Sequence, residues 1–387
     1  MSVTCANTDD LSGLELGYDV PAFPGMAEAE IITPCLVIDL DAFERNIARM
    51  RDYLSDHQVR FRAHGKMHKA SAIADYQIST GGACGICCQK ISEAESFVRN
   101  GIEDVLITNQ IRGTTRLRRL ATLAGTARLL VCVDDPSNVE ELSHAVMTAG
   151  TRLEVLVEID CGAGRCGVAP GAPALALARA IDDAPGLSFA GLQAYHGRAQ
   201  HMRDFSDRRA EIEAAVTRVS ETITMLSGAG LSCDIVGGGG TGTYSLEASS
   251  GVYNELQCGS YAFMDADYGA IRAADGGAFR DFENALFVLT EVMSHSKPDR
   301  AICDAGLKAL TLDSGLPKLF EDDLEVLGCS DEHAVIGDPE CRLALGDKLR
   351  LIPGHCDPTC NLHDWYVGVR DGVVECIWPI DARGKVF

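Results

Sequence analysis

Positive charge is scarce in this 387-residue chain: 34 Lys and Arg face 56 Asp and Glu, for a formal net charge of −22. A polyanion would be repelled by such a surface, which argues against nucleic acid as a partner. Aromatic residues make up only 6% of the sequence. No apolar run reaches the roughly 18 residues of a membrane helix, so no membrane partner is expected. The opening MSVTCANTDDLSGLELGYDV has neither a basic n-region nor an apolar h-region, so a cytoplasmic protein is expected. No repeat or low-complexity linker divides the chain. Glycine and cysteine, by contrast, are plentiful, at 39 and 16 residues. The cysteines lie within apolar strand-like runs of a long chain, and they read as small buried hydrophobes rather than disulfide partners. An anionic substrate remains possible, provided the site supplies its own cations.

Strand-like runs alternate with helical patterns: RFRAHGK (60–66), GACGICC (82–88), DVLITN (104–109), RLLVCVD (128–134), LEVLVEID (153–160), FAGLQAY (189–195), CDIVGGG (233–239) and LQCGSYAF (256–263). Eight βα units predict an α/β fold with a closed (β/α)8 TIM-type barrel; an open doubly wound sheet is the alternative. Before them, TPCLVIDLDAFERNIARM (33–50) reads as a strand and then a helix from about Asp41. Beyond residue 280, ALFVLTEVMS, LGDKLRLIPG, WYVGVR and VVECIWPI are strand-like with no long helix between them. The expected domains are therefore a barrel over 33–275 and a β-rich domain over 276–387, joined by the N-terminal segment 1–32.

Alternation along RFRAHGKMHK puts Arg62, His64, Lys66 and His68 on one strand face. Such a cationic face, at the C-terminal end of a barrel strand, would depress the pKa of Lys66 and make it an amine nucleophile for a carbonyl. A basic surface edge fits the periodicity equally well. VGGGGTGTY (236–244) follows the seventh run, where barrels often bind phosphate through backbone N–H groups; alone, a Gly run is more often a flexible turn. CGSYAF (258–263) lies on the eighth run beside it. EIDCGAGRCGV (158–168) sets Arg165 on a Gly-rich loop, and LQAYHGRAQH (192–201) ends a strand at Tyr195; both fit structural roles as well as functional ones. In PGHCDPTCNLHDWY (353–366) an extended backbone would aim His355 and Asp357 the same way, a pair suited to Mg or Mn, although an isolated H-x-D usually binds nothing.

TPCLVIDLDAFERNI followed by RAHGKMHK resembles the D-threonine aldolase and D-serine dehydratase branch of the alanine-racemase-like, fold-type III pyridoxal-phosphate enzymes. The resemblance runs from about residue 17 to the C-terminus. The family motif is close to R-P-H-x-K-T-H-K; Ala63 and Met67 depart from it, and neither touches the lysine. The resemblance implies a cofactor-bearing barrel plus a β-domain, with the cofactor on Lys66 and His64 as a candidate base. It further implies a phosphate held at Gly239, Gly240, Thr241, Gly259, Ser260 and Tyr261, and Arg165 and Tyr195 at the ring. The aldolase motif H-C-D-P-T-x-N-L implies a divalent metal, Mg or Mn, on His355 and Asp357; the dehydratases have Cys in place of that Asp. The implied reaction is retro-aldol cleavage of a D-β-hydroxy amino acid, 3-hydroxyaspartate before threonine, to an amino acid and an aldehyde, here glycine and glyoxylate. D-serine dehydration, a non-catalytic cofactor carrier and a metal hydrolase are the alternatives. Family members are typically homodimers.

Overall fold

The computed structural model describes residues 11–387, so the leader reading for the first ten lies outside the described residues. All eight expected runs carry strand: Ile86–Cys88, Asp104–Ile107, Arg128–Val133, Leu153–Glu158, Leu187–Gln193, Ile235–Gly238 and Glu255–Leu256 follow the first, which splits into Arg60–Phe61 and Ala63–His64. Every pairing among them is parallel. The first run closes the circle. Arg62 and His64 donate their N–H groups to Leu256 and Cys258 on one side, and Gly65 donates to Cys87 on the other. The barrel is therefore shut, and the open-sheet alternative falls.

Alternation along these strands sorts the core in two. Cys87, Leu106, Leu130, Cys132, Leu156, Ala190 and Ile235 fill the barrel interior. Ile86, Val105, Ile107, Val131, Val155 and Val157 face outward to the helices. The cysteines among the described residues form no disulfide and are mostly buried, in the role of small apolar side chains. Among the described residues no helix is long and apolar enough to cross a membrane.

The second sheet is built around the twelve-residue strand Leu286–Lys297, with Lys348–Ile352, Trp365–Arg370 and Val373–Pro379 where the sequence predicts them. One expectation needs correcting here. The strand Cys35–Asp39 pairs antiparallel with Leu286–Lys297 and parallel with Trp365–Arg370, not with any barrel strand. The barrel unit is better begun at the helix Leu40–Asp56, whose N-cap Asp39 accepts from the Ala42 N–H.

A second correction concerns the expected cationic face. The strand ends at His64, and the chain turns over 65–68. Arg62 lies towards the barrel's N-terminal end, buried between Glu255 and Asp104, each the first residue of its strand. His68 faces away, its Nε2 3.1 Å from Gln77 Oε1. Only His64 and Lys66 remain together, because period-two alternation holds only while the backbone is extended.

Candidate active site

The turn that presents Lys66 is tightly held. A Cβ at Gly65 would sit 2.7 Å from the Phe97 ring and 2.9 Å from Ile86, so any side chain there would displace one of these buried neighbours. Tyr366 Oη donates to the His68 carbonyl at 2.7 Å, and Ala382 N–H to the Lys69 carbonyl at 2.9 Å. Both donors belong to the second unit. Lys69, the other lysine of the motif, is buried and paired 2.7 Å from Glu93.

Lys66 enters a pocket lined by His64, Gln89, Thr108, Arg165, Gln193, Tyr195, Gly240, Thr241, Gln257, Gly259, Ser260 and Tyr268. Most of the expected site residues are thus brought together. Gly239 and Tyr261 are not in the lining. The Tyr261 ring packs edge-on against Phe61 and Phe282, and its hydroxyl accepts from Gln77 Nε2 at 3.1 Å; the 3-10 turn Ser260–Ala262 rotates it into the core. Arg165 stands 5.8 Å over the Tyr195 ring and 3.8 Å from Glu158 Oε1.

From the second unit, Asp357 Oδ2 accepts a hydrogen bond from Lys66 Nζ. The His355 and Asp357 pair does meet, His355 Nε2 lying 3.7 Å from Asp357 Oδ1, but not on extended chain. His355 precedes the short helix Cys356–Cys360, and Asp357 sits in its first turn. The Asp357 contact reverses the expected pKa of Lys66. Burial works to lower it, but the Asp357 carboxylate, helped by Tyr195 and Glu93, holds it above the ordinary lysine value. His64 moves the other way: burial first and Lys66 second push it well below the usual imidazole value, so it is neutral at physiological pH. Its Nε2 lies 3.2 Å from both Gln89 Nε2 and Thr108 Oγ1, and its Nδ1 is buried without a hydrogen-bond partner.

The pocket fits pyridoxal phosphate. Thr241 Oγ1 is buried with no partner, an open hydroxyl beside Gly240, where a Cβ would strike Gln200 Oε1 at 2.5 Å. Unpaired buried hydroxyls and exposed glycine N–H groups are what a phosphate takes up. The metal pair fits as well, since Asp357 Oδ1 is buried, unpaired and turned to an imidazole nitrogen.

Sequence reading missed Gln89, Thr108, Gln193, Gln257 and Tyr268. Gln193 and Gln257 exchange amide hydrogen bonds at 2.7 and 2.9 Å inside the barrel. A polar residue at an inward position of an otherwise apolar strand is the signal that could have found them.

Behind the Gly-rich loop lies Glu247, fully buried. One carboxylate oxygen accepts from Thr243 Oγ1 at 2.7 Å and the other has no partner. Burial raises its pKa to about 8, against the Thr243 hydrogen bond. A raised carboxyl pKa contributes stability that is complete below the unfolded value of about 4.5 and is lost as pH rises through about 8. Glu247→Gln, which keeps an acceptor for Thr243, should match the parent near pH 5 and surpass it increasingly up to pH 9, by roughly 4 kcal/mol at the limit. Melting temperatures across that range test this; a constant difference between the two proteins would refute it.

Two family models cover the chain. The alanine racemase N-terminal domain matches residues 38–267, and a putative serine dehydratase domain matches 285–369. The chain belongs to this family. Its curated relatives include a 3-hydroxy-D-aspartate aldolase of Paracoccus denitrificans (strain Pd 1222), 56% identical over 98% of this chain and 99% of that one. A D-threonine aldolase of an Arthrobacter species is 49% identical over 94% and 96%. The crystal structure of D-threonine aldolase from Filomicrobium marinum superposes with a TM-score of 0.92 at 47% identity, over 95% of this chain and all of that one. The family's barrel-plus-β-domain architecture is the one described above, and the chain is a pyridoxal-phosphate-dependent aldolase, a carbon–carbon lyase.

Proposed function

We propose that the chain cleaves 3-hydroxy-D-aspartate reversibly to glycine and glyoxylate, with pyridoxal phosphate on Lys66 and a divalent Mg or Mn ion on His355 and Asp357. One observation carries this reading: Lys66, which enters the pocket, touches Asp357, 291 positions away. The residues that would hold the cofactor thus adjoin those that would hold the metal.

Pyridoxal phosphate, when bound, supplies the electron sink that takes up the carbanion left at Cα. Thr241, Ser260 and the Gly240 and Gly259 backbone would hold its phosphate, and Tyr195 and Arg165 would frame its ring. A divalent ion on His355 and Asp357 would bind the β-hydroxyl and acidify it. His64, neutral in its buried setting, is the side chain placed to accept a proton, with Gln89 and Thr108 fixing its ring from the Nε2 side. Arg165 and Lys66 are the cations of the lining, and Lys66 is committed to Asp357 and the cofactor.

The full-length similarity to 3-hydroxy-D-aspartate aldolases supports a dicarboxylate substrate. The comparable match to D-threonine aldolase supports a second reading with a neutral side chain. The two separate by kcat/KM. D-3-hydroxyaspartate should exceed D-threonine by at least tenfold under equal metal conditions, because polar groups built for a carboxylate are left unpaired by a methyl. Equal use of D-threonine would make the enzyme a general D-threonine aldolase. Pyruvate and ammonia from D-serine as the main products would make it a dehydratase.

The described cysteines, which form no disulfide, suit the reducing cytoplasm. A homodimer would cover the apolar surface that Tyr18, Ile32 and Leu362 expose around one hollow.

A further inference from the structure

His355 does not stand alone on its loop. Its Nδ1 lies 2.6 Å from Asp313 Oδ2, on the opposite side of the ring from Asp357. Asp313 is fixed in turn: Thr311 Oγ1 donates to its Oδ1 at 2.9 Å. Thr311 is pinned by Thr359, whose Oγ1 accepts from the Thr311 N–H at 3.3 Å and lies 3.2 Å from the Thr311 hydroxyl. Thr359 is fully buried and is the threonine of the HCDPT segment. The same loop presses on the residue before His355, where a Cβ at Gly354 would lie 2.4 Å from the Gly315 carbonyl.

We propose that Asp313 is a positioning residue for the divalent ion: it accepts the Nδ1 proton of His355 and so leaves the Nε2 lone pair directed at the metal. This rests on the reading of His355 and Asp357 as the ligands. A neutral imidazole has one N–H, and a carboxylate on Nδ1 settles which nitrogen carries it. The other nitrogen then faces Asp357 Oδ1, which is buried and unpaired, across 3.7 Å. Two ligand atoms at right angles on a small divalent ion stand about 3 Å apart, so modest closure completes the pair. Asp313 is not a third ligand, because its carboxylate is engaged on the far side of the ring. In keeping with that, no cluster of three or more His, Cys, Asp or Glu side chains suited to a metal occurs among the described residues. The Asp313–Thr311–Thr359 relay also gives the threonine of the HCDPT segment a task that the ligand pair alone does not explain.

The test is a Mn2+ titration of the cofactor-loaded enzyme, read by the paramagnetic resonance signal of free Mn2+. Asp313→Ala should weaken Mn2+ binding about 10- to 100-fold. Asp313→Asn, which can still accept from Nδ1, should weaken it less, and Thr359→Val should fall between the parent and Asp313→Ala. Cofactor absorbance should not change, and saturating Mn2+ should restore most of the turnover. Mn2+ affinity within twofold of the parent in Asp313→Ala, or a loss of turnover that excess Mn2+ does not repair, overturns the proposal. Asp357→Ala run in parallel separates the two levels. If it loses Mn2+ while Asp313→Ala does not, only the role of Asp313 fails; if it too retains Mn2+, the ligand pair itself is wrong.

Discussion

Borohydride reduction followed by peptide mapping should place the pyridoxyl mass on Lys66, and Lys66→Ala should lower cleavage by roughly three to four orders of magnitude. Lys66 alone among the lysines enters the pocket that holds the unpaired Thr241 hydroxyl and the Gly240 turn. Lys69, three residues on, is no substitute: it is buried, adopts a left-handed backbone and is paired with Glu93. A pyridoxyl mass on any other lysine would defeat the assignment, as would a Lys66→Ala enzyme that keeps near-parental turnover.

Removal of the divalent ion should abolish turnover and leave the cofactor in place. Acidifying a hydroxyl and holding the charge that develops on it is worth several kcal/mol, so the loss should be about a thousandfold or more. Chelation followed by restoration with Mg or Mn is the first measurement. His355→Ala is the cleaner variant, because Asp357 also contacts Lys66 and its replacement disturbs two functions together. His355→Ala should retain the cofactor absorbance with turnover near the chelated level. Undiminished metal-dependent turnover in that variant would remove His355 from the ligand set.

Much of the barrel was legible because its strands are short apolar runs between helices, and each run names a strand without naming its partner. That limit explains the misplaced N-terminal strand. Cys35–Asp39 is as apolar as any barrel strand, and only its pairing with Leu286–Lys297 and Trp365–Arg370 assigns it to the other sheet. That Lys66 enters the pocket agrees with its motif, whereas the company predicted for it does not hold. Arg62 and His68 share its period on paper, but the turn at Gly65 ends the alternation. His355 and Asp357 do lie together, but a helix start rather than an extended backbone brings them there. Gln89, Gln193 and Gln257 carry no motif, and Asp313 lies 42 positions from the histidine it touches. Proximity made by folding leaves no local pattern to read.

The placement of Cys35–Asp39 also fixes an order of events during synthesis. This strand leaves the ribosome early, yet its two neighbours are Leu286–Lys297 and Trp365–Arg370, near the end of the chain. At about 5 to 20 residues per second, the second neighbour emerges roughly 17 to 66 s later. Until then an apolar ribbon reading CLVI waits with at least one edge unpaired, the state that recruits stray strands from other chains. The nascent protein therefore carries an aggregation hazard in this strand, and slower translation lengthens the exposure.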